Sequence, residues 1–434
     1  MMQHNSQKRR LQIGLFWCAL MLIFSLGGVT AHAADLNLNV KSAVAVDATT
    51  GQVLYQKNAN KALPIASMTK LLSIYIVLQQ IHSGKMHWNQ QVKVSPQIAK
   101  MSQNTELTNV PLSSSRTYSV RELYDATLIY SANAAISALG NAVSGSPHQF
   151  IKKMRATAEE LNLNSAKLIT ASGITNGQAA SLGYSSLAST DENTMSAADV
   201  AKLAKDLLAM YPQILKTTSQ ATMWFDKGGT SQTKMTNWNL MLKGLSQYSS
   251  TLPVDGLKTG TSNAAGGNFV GTVNKQGHRI ITVVMHASNQ STGDPARFVQ
   301  TRHLMNWVYA TYRPVTLNSK TYQVKNINVP MGKTTQTNAT VAEPTTVWLT
   351  KSQQTNQIKG HVTINSVYAE KKQAGLAAPL KAGTVFGTAT LTVNGQSLPQ
   401  LGQTASLTVP IKTTTKVQRA NWIVRTWRHL LAMI

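Results

Sequence analysis

Acidic residues are scarce: 16 Asp and Glu stand against 41 Lys and Arg among 434 residues, a formal charge of +25. Something anionic is expected near so basic a chain. Cysteine is almost missing too. The single thiol, Cys18, lies in an apolar run near the N-terminus, so the rest of the chain has no disulfide framework and no thiolate chemistry. There is no Gly-x-Ser-x-Gly elbow, no His-x-x-x-His pair, no cysteine cluster and no phosphate-cradling loop. His82, His87, His148, His278, His286 and His303 are scattered, so neither a metal nor another cofactor is expected.

Long apolar runs are confined to one place. QKRR at 7–10 precedes LQIGLFWCALMLIFSLGGV, and AHAA comes next with small residues at Ala31 and Ala33. A basic head, apolar middle and small-residue exit read as a secretory signal peptide, 1–33, cleaved after Ala33. An uncleaved transmembrane anchor is the alternative, which the small-residue exit and the missing basic stop-transfer flank disfavour. Either way the remainder is expected outside the cytoplasm. Cleavage removes Lys8, Arg9 and Arg10 and no acid, leaving +22, three below the full chain. For an exported chain the fitting anions are cell-wall polymers or lipid headgroups rather than nucleic acid, and a merely solvated basic surface is the plainer alternative.

Beyond residue 33 the chain falls into three stretches of different character. KSAVAVDATTGQVLYQKN alternates on both sides of a turn and predicts a hairpin. The segments RELYDATLIYSANAAISALGNAV, HQFIKKMRATAEELN and SAADVAKLAKDLLAMY carry helical periodicity, and strands return with LKTGTSNAAGGNFVGTVNKQGHRIITVVMHAS before a last helix, DPARFVQTRHLMNWVYATY. Strands at both ends enclosing helices predict one α/β unit over 34–315 whose sheet joins distant segments. Short Thr- and Val-rich runs over 316–412 predict a small all-β domain without catalytic groupings. In the tail, 413–434, Ala420, Ile423, Val424, Trp427, Leu430, Leu431 and Ile434 share a helical face opposite Arg425, Arg428 and His429. That pattern predicts an amphipathic helix lying in a membrane surface, with docking onto the protein itself as the alternative.

The chemistry is carried by ASMTK at 66–70. Pro64 is expected to set a helix entry, with Ser67 in the first turn and Lys70 on the same face one turn later. A serine attacks only when a base takes its proton, and a lysine is a base only when uncharged, which burial, a helix N-terminus or a second cation would favour. The spacing alone is weak, because Ser231 and Lys234 repeat it in the polar TSQTKMTN. Two more motifs come in order: SAN, Ser131 to Asn133, and KTG, Lys258 to Gly260. A second Ser-x-Asn, Ser102 to Asn104, has polar neighbours and reads as a loop.

This ordered set resembles that of the penicillin-binding proteins and serine β-lactamases. The wording of PIASMTKLLSIYIV, LIYSANAAISALGNAVSGSPHQFIKKMRATAEELNL and VDGLKTGTSNAAGGNFVGT is similar to low-molecular-mass serine D-alanyl-D-alanine carboxypeptidases over about residues 40–310. The resemblance implies an α/β (α+β) penicillin-binding-protein/β-lactamase-like transpeptidase fold with helices packed on an antiparallel sheet. It also implies roles: Ser67 as acylated nucleophile, Lys70 as its base, Ser131 as proton relay to the leaving amine, Asn133 as holder of the substrate amide. Lys258 would supply a second ammonium for a substrate carboxylate, Thr259 and Thr261 would line the edge strand, and Gly260 would leave room for substrate along it. The backbone N–H groups of Ser67 and Thr261 would form the oxyanion hole. The implied partners are peptidoglycan stem peptides and, as covalent inhibitors, β-lactam antibiotics; the implied place is the outer face of a Gram-positive membrane or wall.

Two departures stand out. Ala134 comes after the SAN motif where the family often has Asp, and TASGITN around Gly173 replaces the usual Asn-x-x-Gly-Leu; neither is expected to touch nucleophile or base. A β-lactamase of the Glu-x-x-Leu-Asn type is disfavoured, because AEELN puts Ala158 where that glutamate would stand. A transpeptidase and a non-catalytic penicillin sensor remain open.

Overall fold

The computed structural model describes residues 36–291, 293–371, 373–402 and 406–432. The expected signal segment, Cys18 and Ile434 lie outside them. Strands β1 (Ser42–Asp47) and β2 (Val53–Lys57) form the predicted hairpin, whose turn Asp47 organises by accepting from the backbone of Thr49 and Thr50. Three later strands complete the sheet: β3 (Val254–Ser262), β4 (Gly266–Lys275) and β5 (His278–Ala287). The order is β2-β1-β5-β4-β3 and every pairing is antiparallel, so the first strand of this sheet in sequence pairs with its distant last one, Val44 opposite Val283. The apolar run of β5 is buried from Ile280 to Met285 because helices cover the sheet. The KTG strand β3 forms the sheet's edge, so its outer row of backbone groups is open to a cleft.

Between the hairpin and β3 lies a helical body. Helix α1 (Lys70–His82) is buried over its first nine residues, as an all-round apolar helix must be. Around it pack α2 (Val120–Ile129), opened by a Ser119–Glu122 capping box, α3 (Asn133–Ser144), α4 (Pro147–Glu160), capped by Ser146, and α5 (Ala197–Met210), capped by Ser196. Helices α5 and α6 (Ala296–Thr311) lie on the sheet.

The strands that follow α6 build the β-rich region. β6 (Tyr312–Leu317) pairs with β9 (Thr345–Thr350), and a second sheet runs β7-β8-β12-β11-β10, formed by Val324–Asn328, Gln336–Val341, Thr408–Thr413, Val385–Val393 and Ile358–Ile364 respectively. Phe386, Leu391 and Ile411 centre its own core. Trp348 fastens the two regions: its indole N–H donates to Asp47 (2.8 Å) and its backbone exchanges two 2.8 Å bonds with the Gln52 amide. All these polar groups are buried and paired, which makes the junction a fixed one. The chain ends in α7 (Trp422–Leu431), capped by Asn421.

Candidate active site

Ser67 and Lys70 are not in one α-helix. Residues Ala66–Thr69 form a 3₁₀ turn and α1 begins at Lys70, so the three-residue period places the two side chains in line. Pro64 corrects a second expectation: it ends a short strand, Ala62–Pro64, paired with Thr194–Ser196, and does not start the helix. Lys70 Nζ lies 2.7 Å from Ser67 Oγ and donates to Asn133 Oδ1 and the Ser172 carbonyl, each at 2.8 Å.

That geometry constrains the protons. A neutral lysine amine has two N–H bonds and one lone pair, while Asn133 Oδ1 and Ser172 O can only accept. Once both N–H groups are taken, the lone pair faces the Ser67 hydroxyl. Burial pushes the Lys70 pKa well below its ordinary value, and the charge on Lys258 pushes it further. Lys258 is itself lowered to about 7, by burial first and then by Arg297. No carboxylate pairs with either lysine among the described residues, so the uncharged base is favoured.

Ser131 sits at φ +62 between α2 and α3, a left-handed conformation rare for serine, and is 6% exposed. It shares a cleft of about 390 Å³ with Ser67, Thr259, Thr261 and Arg297. Asn133 gains a task beyond the expected one: besides orienting Lys70, its Nδ2 donates to the Thr108 carbonyl (2.9 Å). One N–H is left for a substrate amide.

Gly260 departs from expectation. A Cβ there would come within 2.5 Å of the Ile65 carbonyl, so the missing side chain admits the nucleophile turn against the strand rather than the substrate. The TASGITN segment departs more sharply, since it reaches the surroundings of both Ser67 and Lys70: Ser172 supplies an acceptor for Lys70, and Gly173, at φ +82, packs where a Cβ would strike the Ala66 carbonyl. Sequence spacing could not place a loop a hundred residues away beneath the lysine.

Two residues went unread. Asn193 is fully buried and holds that loop: Oδ1 accepts from the Ile169 and Thr170 N–H groups, and Nδ2 donates to Thr69 Oγ1 (3.0 Å) and the Thr170 carbonyl (2.8 Å). Arg297, on the buried face of α6, donates through Nη1 to Gly260 O (3.0 Å) and Thr261 Oγ1 (2.6 Å) and through Nη2 to Asn289. Among the described residues its Nε is buried without a partner, and burial lowers its pKa to about 10. A signal existed: Arg297 falls on the stripe of Phe298, Thr301, Leu304, Met305 and Val308, and a cation at a core position asks for an explanation.

The rival motifs have structural roles. Lys234 lies exposed on a two-strand hairpin, and Ser102 Oγ bonds the Leu112 backbone. Ala158 is buried in α4, with Glu159 and Glu160 exposed beside it.

A family model described as D-alanyl-D-alanine carboxypeptidase matches residues 28–289, and one described as penicillin-binding protein 5, C-terminal domain, matches 312–419. The chain is 27% identical over 369 residues to D-alanyl-D-alanine carboxypeptidase DacF of Bacillus subtilis, covering 85% of each. It is 28% identical over 408 residues to DacC of Escherichia coli, covering 92% of this chain and 91% of that one. Among solved structures, the peptidoglycan synthesis regulatory factor PBP3 of Streptococcus pneumoniae superposes with a TM-score of 0.72 at 32% identity, over 88% of this chain and all of that one. Penicillin-binding protein D2 of Listeria monocytogenes in its ampicillin-bound form superposes with a TM-score of 0.51 at 29% identity, over 63% of this chain and 99% of that one.

Proposed function

This chain belongs to the D-alanyl-D-alanine carboxypeptidase family, and from that premise we propose how its residues divide the work. The enzyme removes the terminal D-alanine of peptidoglycan stem pentapeptides and is a target of β-lactams. The observation that carries the assignment is the Lys70 amine, 2.7 Å from Ser67 Oγ with its other bonding directions taken by acceptors. Ser67 Oγ attacks the carbonyl of the penultimate D-alanine and passes its proton to Lys70. The N–H groups of Ser67 and Thr261 receive the oxyanion. Collapse expels D-alanine, its amine protonated through Ser131, and water then attacks the ester and restores Ser67. Lys258 and Arg297 attract the substrate's terminal carboxylate, and Thr259 and Thr261 align the peptide along the open edge of β3.

Mature protein and Ser67→Ala, given a stem pentapeptide ending in D-Ala-D-Ala, test this directly: D-alanine release should be present in the first and lost in the second. A protein that binds penicillin covalently yet releases no D-alanine would be a sensor or an enzyme needing another acceptor. With Lys70 as a free-amine base, kcat/KM should rise with pH as that amine deprotonates.

We extend the proposal to place. Among the described residues no helix is long and apolar enough to cross a membrane. In α7, Trp422, Ile423, Trp427, Leu430 and Leu431 are all more than half exposed, while the less exposed side carries Arg425, Arg428 and His429. Arg428 donates to the carbonyls of Pro330 (3.0 Å) and Gly332 (2.8 Å). The helix thus turns its charged face to the β-rich region and its apolar face outward, the reverse of core docking and the arrangement suited to a membrane surface. With a cleaved signal peptide and a basic body, it would work on the outer face of a Gram-positive membrane beside anionic wall polymers. Deleting 417–434 should release the protein from membranes; retention after deletion would sink the anchor.

A further inference from the structure

We propose that Glu106 is a specificity-determining residue: it reads the ammonium of the diamino acid that precedes D-Ala-D-Ala, so that stems with a free side-chain amine are preferred. This rests on the carboxypeptidase reading and names the substrate form that the same cleft selects.

The cleft is electrically lopsided. Its β3 and α6 side is lined by Thr259, Thr261 and the buried Arg297, and Lys258 is buried in β3 next to Thr259. Two acids line it, Glu106 and Asp294. Asp294 is occupied, accepting from Ala296 N through Oδ1 (2.9 Å) and from Ser288 Oγ (3.1 Å) and Gln290 N (2.8 Å) through Oδ2. The Glu106 carboxylate is exposed and makes no hydrogen bond or ion pair among the described residues. In a chain with so few acids, one unengaged carboxylate at the mouth of the active site is a distinctive feature.

Its position is fixed by the backbone beneath it. Glu106 N donates to Asn104 Oδ1 (2.9 Å), and Thr108 O accepts from Asn133 N (3.0 Å) and Nδ2 (2.9 Å). Asn109 bridges Met101 O (2.9 Å) and Ala134 N (2.8 Å). The loop is therefore fastened to the SAN segment, and its Glu106 and Thr108 line the same cleft as Arg297. A substrate with a terminal carboxylate and an ammonium two residues earlier has the matching polarity. Once the side-chain amine is acylated in a cross-link it is uncharged and the match is lost, so the cleft selects stems that are not yet linked through that amine.

Two pentapeptides identical except for a free or N-acetylated side-chain amine at the third residue test this, with wild type and Glu106→Gln. The expected result is an about three- to fivefold preference of wild type for the free amine in kcat/KM, the range of a solvent-accessible ion pair. That preference should shrink as salt screens it. Glu106→Gln should lose it by slowing the free-amine peptide alone. Equal slowing of both peptides, or no preference in wild type, overturns the inference and leaves the carboxypeptidase reading intact. No D-alanine from either peptide with wild type overturns both.

Discussion

The catalytic cleft and the β-rich region both carry cations, and they treat them in opposite ways. Lys70, Lys258 and Arg297 are 0%, 2% and 6% exposed, and neither lysine has a carboxylate partner among the described residues. In the β-rich region Lys320, Lys325, Lys333, Lys351, Lys359, Lys371 and Lys381 are all exposed, around a core of aliphatic and aromatic side chains. An exposed lysine keeps its hydration and costs little, whereas a buried one loses it and answers by giving up its proton. The same residue type thus keeps its water and its charge in one region and, under the proposed mechanism, acts as a base or an anion receptor in the other. Positive charge alone does not separate these uses; burial does.

Lys258→Met should break that contrast most strongly. Peptide turnover should fall about 100-fold with loss of the cation. Stability should move the other way. The folded-state pKa, about 7, lies below the ordinary 10.5, so between those values the unfolded chain binds the extra proton and wild-type stability rises with pH. The variant's stability should depend less on pH over that window and should exceed the wild type's near neutrality, by an amount on the order of a few kcal/mol, read from thermal unfolding across the pH range. An unchanged pH dependence would mean that burial does not lower the Lys258 pKa in the folded protein.

Asn193→Ala sharpens the comparison next, since it disturbs the lysine's surroundings without touching a cation. Four hydrogen bonds are lost in a buried place, which should cost about 2–4 kcal/mol. If the loop aims Lys70, acylation by a fluorescent penicillin, measured in the cold on folded protein, should also slow by about tenfold. Normal acylation in a destabilised variant would reduce Asn193 to a fold-keeping role. The smallest effect is expected at the tail: Arg428→Ala removes two bonds to carbonyls, about 1 kcal/mol, and should speed proteolysis near 419–421 while leaving turnover of soluble peptides unchanged.

The elements readable in the sequence were those with strong local signals. The DATTG hairpin, the capped helices and the three strands around the KTG motif arise from alternation, periodicity and caps within a few residues. Motif order led to Ser67, Lys70, Ser131 and Lys258. What stayed unread lies across long separations: Ser172 under Lys70, Asn193 under Ser172, Trp348 against Asp47 and Gln52, and the Arg428 contact that turns α7 over.

By itself the sequence determined which side chains are available for chemistry and which local elements carry them, because propensity, capping and hydrophobic period act over single turns. The tertiary structure alone decided what those side chains can do. A lysine becomes a base by losing water and facing another cation, a glycine is needed where a distant carbonyl arrives, and a polar helix face is hidden when the neighbouring region offers it acceptors. These are properties of surroundings, assembled from residues far apart in the chain.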